Sequence, residues 1–208
     1  LEQGVHRALS SMLAVGAELK NTVCLTKDDK AFLSQHIGDL ENLSTYEFFQ
    51  LTIDHLSRIL QIAPELIAHD LHPDYMSTRY AGEQASLPTV AVQHHHAHIV
   101  SCMAEHKLDG PVIGLSFDGT GLGTDGRIWG GEVLVAEPDR FNRAAHLAYV
   151  PMPGGAAAIK EPWRMAASYL IHAYGDEYAD YDIPALREIA PGRLSVIAEM
   201  AVKGINSP

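Results

Sequence analysis

Four histidines in the run 93–98 are the side chains best suited to bind a metal. His94 and His98 are four residues apart, so on a helix both imidazoles lie on one face, as a two-histidine metal site requires. The positive end of the helix dipole favours the neutral imidazole that binds metal. We expect a zinc or iron site that takes a third ligand, suitably a carboxylate, from elsewhere. A solvated histidine-rich helix start is the alternative, and His95 and His96 are expected at the surface or behind the ligands.

A second candidate site is the glycine-rich stretch that contains Asp118, Gly119, Thr120 and Gly121. Glycines let backbone N–H groups approach a phosphate closely, and a threonine hydroxyl adds a donor. The stretch is neither a Walker loop nor a dinucleotide fingerprint, because no Gly-Lys-Ser/Thr follows and it runs into a strand. A turn of this kind between two strands resembles the phosphate loop of actin-like ATPases, in which the Asp binds a metal or water. An ordinary hairpin turn is the alternative.

Other residues offer contacts for an anion. Lys20 and Asn21 lie in a turn that corresponds, in the first half of the chain, to the turn at Asp118, and Lys20 would place a point charge on phosphate. Gly154 and Gly155 precede a helix that carries Arg164, an arrangement that suits a ligand at a helix N-terminus. A solvated lysine and a flexible connection are the respective alternatives.

Asp70 and Asp74 follow a predicted strand, where α/β proteins often place functional groups. Both carboxylates could equally cap a helix.

The elements that must position these residues begin as a ribonuclease-H-like lobe. Strands at 12–17 and 21–26 form a hairpin, a third strand lies at 31–37, and Ser44 caps a helix that continues to residue 60. The order continues as strand 66–71, a short helix in 73–80, strand 89–93 and helix 94–107. This order predicts a mixed sheet with helices on both faces.

The pattern restarts at Pro111 with strands at 112–117, 127–136 and 146–150, joined by a glycine-rich turn at 119–126. Helices at 160–174 and 184–203 follow, without the further strands that a second lobe needs to cover its edge. We therefore expect an α/β protein with an actin-like ATPase (ribonuclease-H-like) two-lobed fold. Its first lobe would be complete over 1–110, and its second lobe truncated over 111–208.

Composition excludes some function classes. The 208 residues carry a formal net charge of −11, which disfavours nucleic acid and anionic membranes as partners. No apolar run approaches the ~20 residues of a membrane span. The two cysteines, Cys24 and Cys102, lack CxxC spacing and fit a reducing compartment, so we expect a cytoplasmic protein.

Six strings in a fixed order carry a family resemblance over nearly the whole chain. They are GAELKN (16–21), SQHIGDL (34–40), HDLHPDY (69–75), VQHHHAHI (92–99), DGTG with WGGE (118–121 and 129–132), and EPWRMA (161–166). Together they resemble the carboxy-terminal, actin-like domain of the HypF family, the carbamoyltransferases of [NiFe]-hydrogenase maturation.

The resemblance implies a reaction. Members of this family use ATP to convert carbamoyl phosphate into carbamoyl adenylate, and this domain passes the carbamoyl group to the C-terminal cysteine of the partner protein HypE. The two histidines of the H-x-x-x-H motif, here His94 and His98, bind a divalent metal in related transferases. The third ligand is an Asp expected beyond Pro208, and Lys20 and the turn at Asp118 would hold phosphate. Because the partner supplies the sulfur, neither Cys24 nor Cys102 needs to be a nucleophile.

Three other functions stay open at this point. A tRNA threonylcarbamoyl transferase would share the fold and the histidine pair, but the negative charge argues against tRNA. A sugar kinase or actin-like ATPase would not need the histidine pair. A non-catalytic docking fragment would need no site at all.

Overall fold

A computed structural model describes residues 11–181 and 183–208. The described residues form two compact units, of which the first ends at Ala145 and the second begins at His146. The first unit contains two sheets and three helices. Its elements are β1 (Ser11–Ala14), β2 (Cys24–Lys27), β3 (Lys30–Leu33), α1 (Leu43–Leu60), β4 (Leu66–Asp70), α2 (Met76–Glu83), β5 (Thr89–Val92), α3 (His94–Glu105), β6 (Val112–Leu122), β7 (Ile128–Glu137) and β8 (Arg140–His146), the last ending at the boundary.

The first sheet has the order β3-β2-β1-β4-β5. β1 pairs antiparallel with β2 and parallel with β4, while β5 extends the parallel half. The predicted mixed sheet is therefore confirmed. Because β1, β4 and β5 run in the same direction, their carboxyl ends lie at one edge, where α/β proteins place their sites.

The first core lies between this sheet and α1. Leu13, Leu25 and Ile67 from the strands and Phe49 and Ile53 from the helix are buried there. Helical spacing places Phe49 and Ile53 four residues apart on one face of α1, so both reach the sheet.

The capping prediction for α1 was wrong. Asn42 is the N-cap, and its Oδ1 accepts hydrogen bonds from the Ser44 backbone N–H at 2.9 Å and hydroxyl at 2.7 Å. An Asn side chain reaches the second helical N–H without distortion, so the helix begins one residue before Ser44.

The second sheet has the order β6-β7-β8 and differs from the prediction in two places. The first half of the predicted glycine-rich turn at 119–126 is strand, because β6 continues to Leu122 and only the residues between Leu122 and Ile128 reverse the chain. The predicted strand at 146–150 is absent; β8 ends at His146. The chain turns back directly after Glu137, where an ion pair joins Glu137 to Arg140, so the third strand starts earlier.

The lobe boundary predicted at residues 110 and 111 stays a prediction. The compact unit extends to Ala145 because α3 packs against β6 and β7.

The second unit is helical, as predicted, but each predicted helix is divided by proline. Its elements are α4 (Ala156–Lys160), α5 (Trp163–Tyr174), a 3₁₀ helix (Gly175–Asp180), α6 (Pro184–Arg187) and α7 (Pro191–Lys203). Pro162 lacks an N–H and separates α4 from α5, and Pro191 restarts the chain as α7. Among the described residues, no helix has the length and apolar character needed to cross a bilayer.

α3 approaches β6 closely because β6 carries glycine at the contact. A Cβ on Gly114 would overlap the buried Ile99 side chain of α3. Ile99 and Met103 face the core from α3, as the sequence predicted, and pack with Trp129 and Leu134 of β7. The missing side chain at Gly114 therefore sets how near α3 lies to the second sheet.

We expect Gly114→Ala to lower the free energy of unfolding by about 1–3 kcal/mol, because the added methyl overpacks a filled core. Gly82→Ala in α2 is the matched control, since a Cβ there meets no atom within 4 Å. In the control, alanine should stabilise the helix by up to about 1 kcal/mol. Urea denaturation measures both, and equal stabilities for the two variants would contradict this packing of α3 on β6.

Candidate metal centre

Three side chains from two elements converge in the first unit. His94 and His98 project from one face of α3, and Asp118 projects from β6; one ligand atom from each lies within 4.8 Å of the others. His94 Nε2 is 2.8 Å from Asp118 Oδ2 and 3.1 Å from His98 Nε2. His98 Nε2 is 3.6 Å from the same carboxylate oxygen. We expected the third ligand beyond Pro208, but Asp118 already offers one among the described residues.

Gln93 fixes where α3 begins. Its Oε1 accepts the His96 backbone N–H at 2.8 Å, which makes Gln93 the N-cap and His94 the first helical residue. Its Nε2 donates to the Leu122 carbonyl of β6 at 3.3 Å. One side chain therefore ties the start of α3, and with it His94, to the strand that carries the carboxylate.

A bulge in β6 presents Asp118. Pairing with β7 stops after Phe117 and resumes at Gly121, so the three residues between them face Gly130 alone. A bulge breaks the alternation of a strand and redirects a side chain, and bulges are common beside active sites. Asp118, predicted in a phosphate-binding turn between two strands, thus lies in an irregular part of a strand beside α3.

The residues that follow Asp118 in the bulge differ in what they contact. Asp118 Oδ1 accepts the Gly119 backbone N–H at 2.6 Å, so Oδ2 faces the histidines. A Cβ on Gly121 would lie 2.7 Å from His95 Cε1, so Gly121 allows the strand to approach α3. Gly119 is exposed and Thr120 half-buried on the bulge itself.

Asp70 orients His94 from behind. It ends β4, is 8% exposed, and its Oδ2 accepts from His94 Nδ1 at 2.8 Å. Its Oδ1 accepts the His72 backbone N–H at 2.8 Å, which fixes the carboxylate. Histidine ligands commonly donate their second ring N–H to a carboxylate in this way. The sequence indicated Asp70 as a candidate because it follows a predicted strand. It did not indicate the contact with His94, which is 24 positions away along the chain.

The charge of the His94 imidazole differs from the expectation based on the helix dipole. Hydrogen bonds to Asp118 and then Asp70 raise the pKa of His94 to about 9, so the ring is cationic at neutral pH. The His94 and His98 rings in turn hold the pKa of the Asp118 carboxyl far below its usual range. Two adjacent carboxylates favour the charged imidazole, and this effect opposes that of the helix dipole.

His95 and His96 are buried rather than at the surface, with exposures of 0% and 8%. His95 Nδ1 lies 3.1 Å from Gln93 Nε2, and burial lowers the pKa of this ring. His96 Nε2 donates to the Glu137 carbonyl of β7 at 2.7 Å. Both rings therefore attach α3 to the second sheet behind the ligand pair.

A cleft of about 380 Å³ opens beside His94 and His98 at the carboxyl-end edge of the first sheet. Small side chains and glycine form most of its wall, which leaves space for a ligand next to the histidines. The lining residues are Ala14, Gly16, Ala17, Thr22, Cys24, Ala68, His69, Asp70, Val92, His94, Ala97, His98 and Ser101.

Lys20 and Asn21 lie beyond β1 but differ in exposure. Lys20 is exposed with a φ of 50°, and its backbone N–H donates to Asp39 Oδ1 at 2.9 Å. It is not among the residues that line the cleft. Asn21 is buried, and its Nδ2 donates to the carbonyls of Val15 and Ala17 at 2.8 and 2.6 Å. Asn21 therefore holds its own loop in shape.

Gly154, Gly155 and Arg164 belong to the second unit. Both glycines have positive φ, and they precede α4. Arg164 Nε donates to Glu161 Oε2 at 2.7 Å, and its NH1 reaches the Pro153 carbonyl at 3.5 Å. The guanidinium thus braces the turn between α4 and α5.

Two family models match successive parts of the chain. Residues 7–105 match the family model described as the HypF Kae1-like domain, and residues 114–208 match the second subdomain of the carbamoyltransferase Kae1-like domain. The carbamoyltransferase HypF2 of Cupriavidus necator is 55% identical over 81% of this chain and 21% of its own length. The carbamoyltransferase HypF of Rhizobium leguminosarum bv. viciae is 50% identical over 77% of this chain and 21% of its own length.

A crystal structure of full-length HypF in a phosphate- and nucleotide-bound form is 43% identical and superposes with a TM-score of 0.83. The match covers 95% of this chain and 26% of that one, and it confirms the predicted actin-like fold. The chain thus spans about a fifth of the length of these curated relatives. Two family models in succession, together with relatives of this similarity, show that the chain belongs to the HypF carbamoyltransferase family.

Proposed function

We propose that this chain forms the carbamoyl-transfer site of a HypF-type carbamoyltransferase, with a divalent metal held by His94, His98 and Asp118. The observation that carries the proposal is the convergence of their three ligand atoms beside the cleft. Membership of a family whose relatives are carbamoyltransferases supports the reaction class.

The donor set fits a metal. Two imidazoles and one carboxylate suit zinc or ferrous iron, and three protein ligands leave positions for a substrate. Asp70 holds His94 Nδ1, so Nε2 is the atom available for a ligand bond. A divalent cation would also relieve the charge of the two carboxylates that face His94.

The proposed reaction transfers the carbamoyl group from carbamoyl adenylate to the C-terminal cysteine thiolate of a HypE-like partner. The sulfur–carbon bond forms as the bond from the carbamoyl carbon to the adenylate oxygen breaks, and AMP leaves with the electron pair. A divalent cation bound at the site supplies Lewis-acid polarisation of the carbamoyl group. His94, His98 and Asp118 would orient that group at the cleft.

The chain's own cysteines suit this assignment. Cys24 lines the cleft, but burial raises the pKa of its thiol, which disfavours the nucleophilic thiolate. Cys102 is exposed and does not line the cleft. An acceptor sulfur from a partner therefore remains the simpler source of the nucleophile.

Phosphate contacts are the second part of the proposal. Lys20 would pair with the nucleotide phosphate, and Gly119 and Thr120 lie on the bulge directly after Asp118. A solved HypF structure described as phosphate- and nucleotide-bound supports nucleotide use in the family.

Three other functions make different demands. A tRNA-modifying transferase would need a basic surface, whereas the chain carries a net charge of −11. An actin-like ATPase or sugar kinase would keep its activity without the histidine pair, and a docking fragment would have no metal.

We expect Zn²⁺ affinity to fall more than about 100-fold in His94→Ala, His98→Ala and Asp118→Ala, and about 10–100-fold in Asp70→Asn, which removes only an orienting contact. Isothermal titration of the 208-residue chain measures the affinities. His106→Ala, at the end of α3, and Asp74→Asn, an exposed carboxylate beside Arg79, are the matched controls. Unchanged affinity in the three ligand variants would remove the metal site.

We expect Lys20→Ala to weaken AMP binding about two- to fivefold, the effect of losing one solvent-exposed charge contact. Lys30→Ala, which removes an exposed lysine at the start of β3, is the control. Fluorescence titration with labelled AMP measures both. Equal affinity of Lys20→Ala and the unmodified chain would exclude Lys20 from the phosphate site.

We expect His98→Ala to slow carbamoyl transfer at least about 100-fold, because metal polarisation lowers the barrier by several kcal/mol. The assay follows labelled carbamoyl adenylate onto a peptide that ends in cysteine, and His106→Ala is the control. Transfer at an unchanged rate in His98→Ala would refute the metal's role. Label on tRNA rather than on the peptide would favour the tRNA-modifying function.

A further inference from the structure

Glu132, on β7, is a buried carboxylate for which the proposed reaction gives no role. It is 2% exposed, and its Oε1 accepts the backbone N–H groups of Gly130 and Gly131 at 3.1 and 3.4 Å. Its Oε2 accepts from Arg143 Nε of β8 at 2.6 Å. Three donors therefore contact one buried side chain. Glu132 lies two residues after Gly130, the residue that faces the β6 bulge.

The bulge explains why Glu132 is needed there. Three residues of β6 face Gly130 alone, so the regular ladder of hydrogen bonds is interrupted at this point of β7. Buried backbone N–H groups require an acceptor. Glu132 supplies one from within β7, and so allows the strand to stay extended while β6 departs from the ladder.

The main chain of β7 in turn supports Asp118. A Cβ on Gly130 would lie 3.0 Å from the carbonyl oxygens of both Asp118 and Gly119, so the two backbones are in close contact. A shift of Gly130 would therefore move the bulge. Asp118 Oδ2, which lies 2.8 Å from His94 Nε2, would move with it.

The same carboxylate is connected to α3. The Arg143 guanidinium that donates to Glu132 lies 4.2 Å above the Trp129 ring. The Trp129 ring packs against His95, with centroids 5.9 Å apart. Glu132 thus supports both sides of the candidate metal centre, although within the described part of the chain it forms no hydrogen bond or ion pair with His94, His98 or Asp118.

We infer that Glu132 is a positioning residue for the metal centre: its reach to the Gly130 and Gly131 N–H groups holds the bulge that presents Asp118. This inference rests on the proposed function, because it concerns the geometry of the same site. The length of the Glu132 side chain and its acceptor oxygen hold the bulge. A shorter side chain with the same charge should therefore not replace Glu132.

Two substitutions separate reach from charge. Glu132→Asp keeps the charge that pairs with Arg143 but withdraws the acceptor by one methylene, whereas Glu132→Gln keeps the reach and an acceptor oxygen. Glu137→Asp is the matched control, since Glu137 lies on the same strand and pairs with Arg140 away from the bulge. Ile53→Ala, a core variant of α1, controls for stability loss in general.

Two measurements are made on the 208-residue chain: Zn²⁺ affinity by titration, and hydrogen–deuterium exchange of residues 117–121 and 129–132 without metal. We expect Glu132→Asp to bind Zn²⁺ about tenfold more weakly and to exchange faster in both segments. We expect Glu132→Gln to stay within about threefold of the unmodified affinity, with both controls at that affinity.

A loss in the Gln variant that equals or exceeds the loss in the Asp variant would overturn the inference, because the reach that Gln retains would then not be what holds the site. Unchanged exchange in Glu132→Asp, or faster exchange with unchanged Zn²⁺ affinity, would also overturn it. If His94→Ala binds Zn²⁺ as well as the unmodified chain, the proposed metal site itself is wrong. The exchange data then still decide whether Glu132 holds the bulge, and unchanged exchange rejects that role.

Discussion

The 2.8 Å approach of His94 Nε2 to Asp118 Oδ2 is the contact on which the candidate site depends. The two residues are 24 positions apart and belong to different elements, the first turn of α3 and an irregular part of β6. They meet because β6 carries glycine where α3 crosses it, at Gly114 and Gly121. Side chains at those positions would hold the helix away from the strand, and the ligand atoms would not converge.

Local pattern was enough to predict most of the elements and two of the three proposed ligands. Periodicity and helix signals predicted α1 and α3, and the four-residue spacing of His94 and His98 required only that α3 be a helix. The mixed character of the first sheet followed from the order of strands and helices along the chain. These inferences needed no knowledge of which residues meet across the fold.

The rest of the site depends on contacts between distant segments. A bulge is a property of the register between two strands, so the glycine-rich run around Asp118 was read as a turn. The partnership of Asp70 with His94 requires β4 and α3 to be adjacent, and the burial of His95 and His96 requires a second sheet against α3. Histidine is polar, so hydropathy alone could not predict that two of these rings pack in a core.

X-ray absorption at the zinc edge of the Zn²⁺-loaded chain tests the central claim most directly. The account predicts a first shell of nitrogen and oxygen atoms at about 2.0–2.2 Å, with the outer-shell scattering of two imidazoles. A sulfur shell near about 2.3 Å, which would place Cys24 or Cys102 on the metal, would contradict the account. A shell without imidazole scattering would contradict it equally.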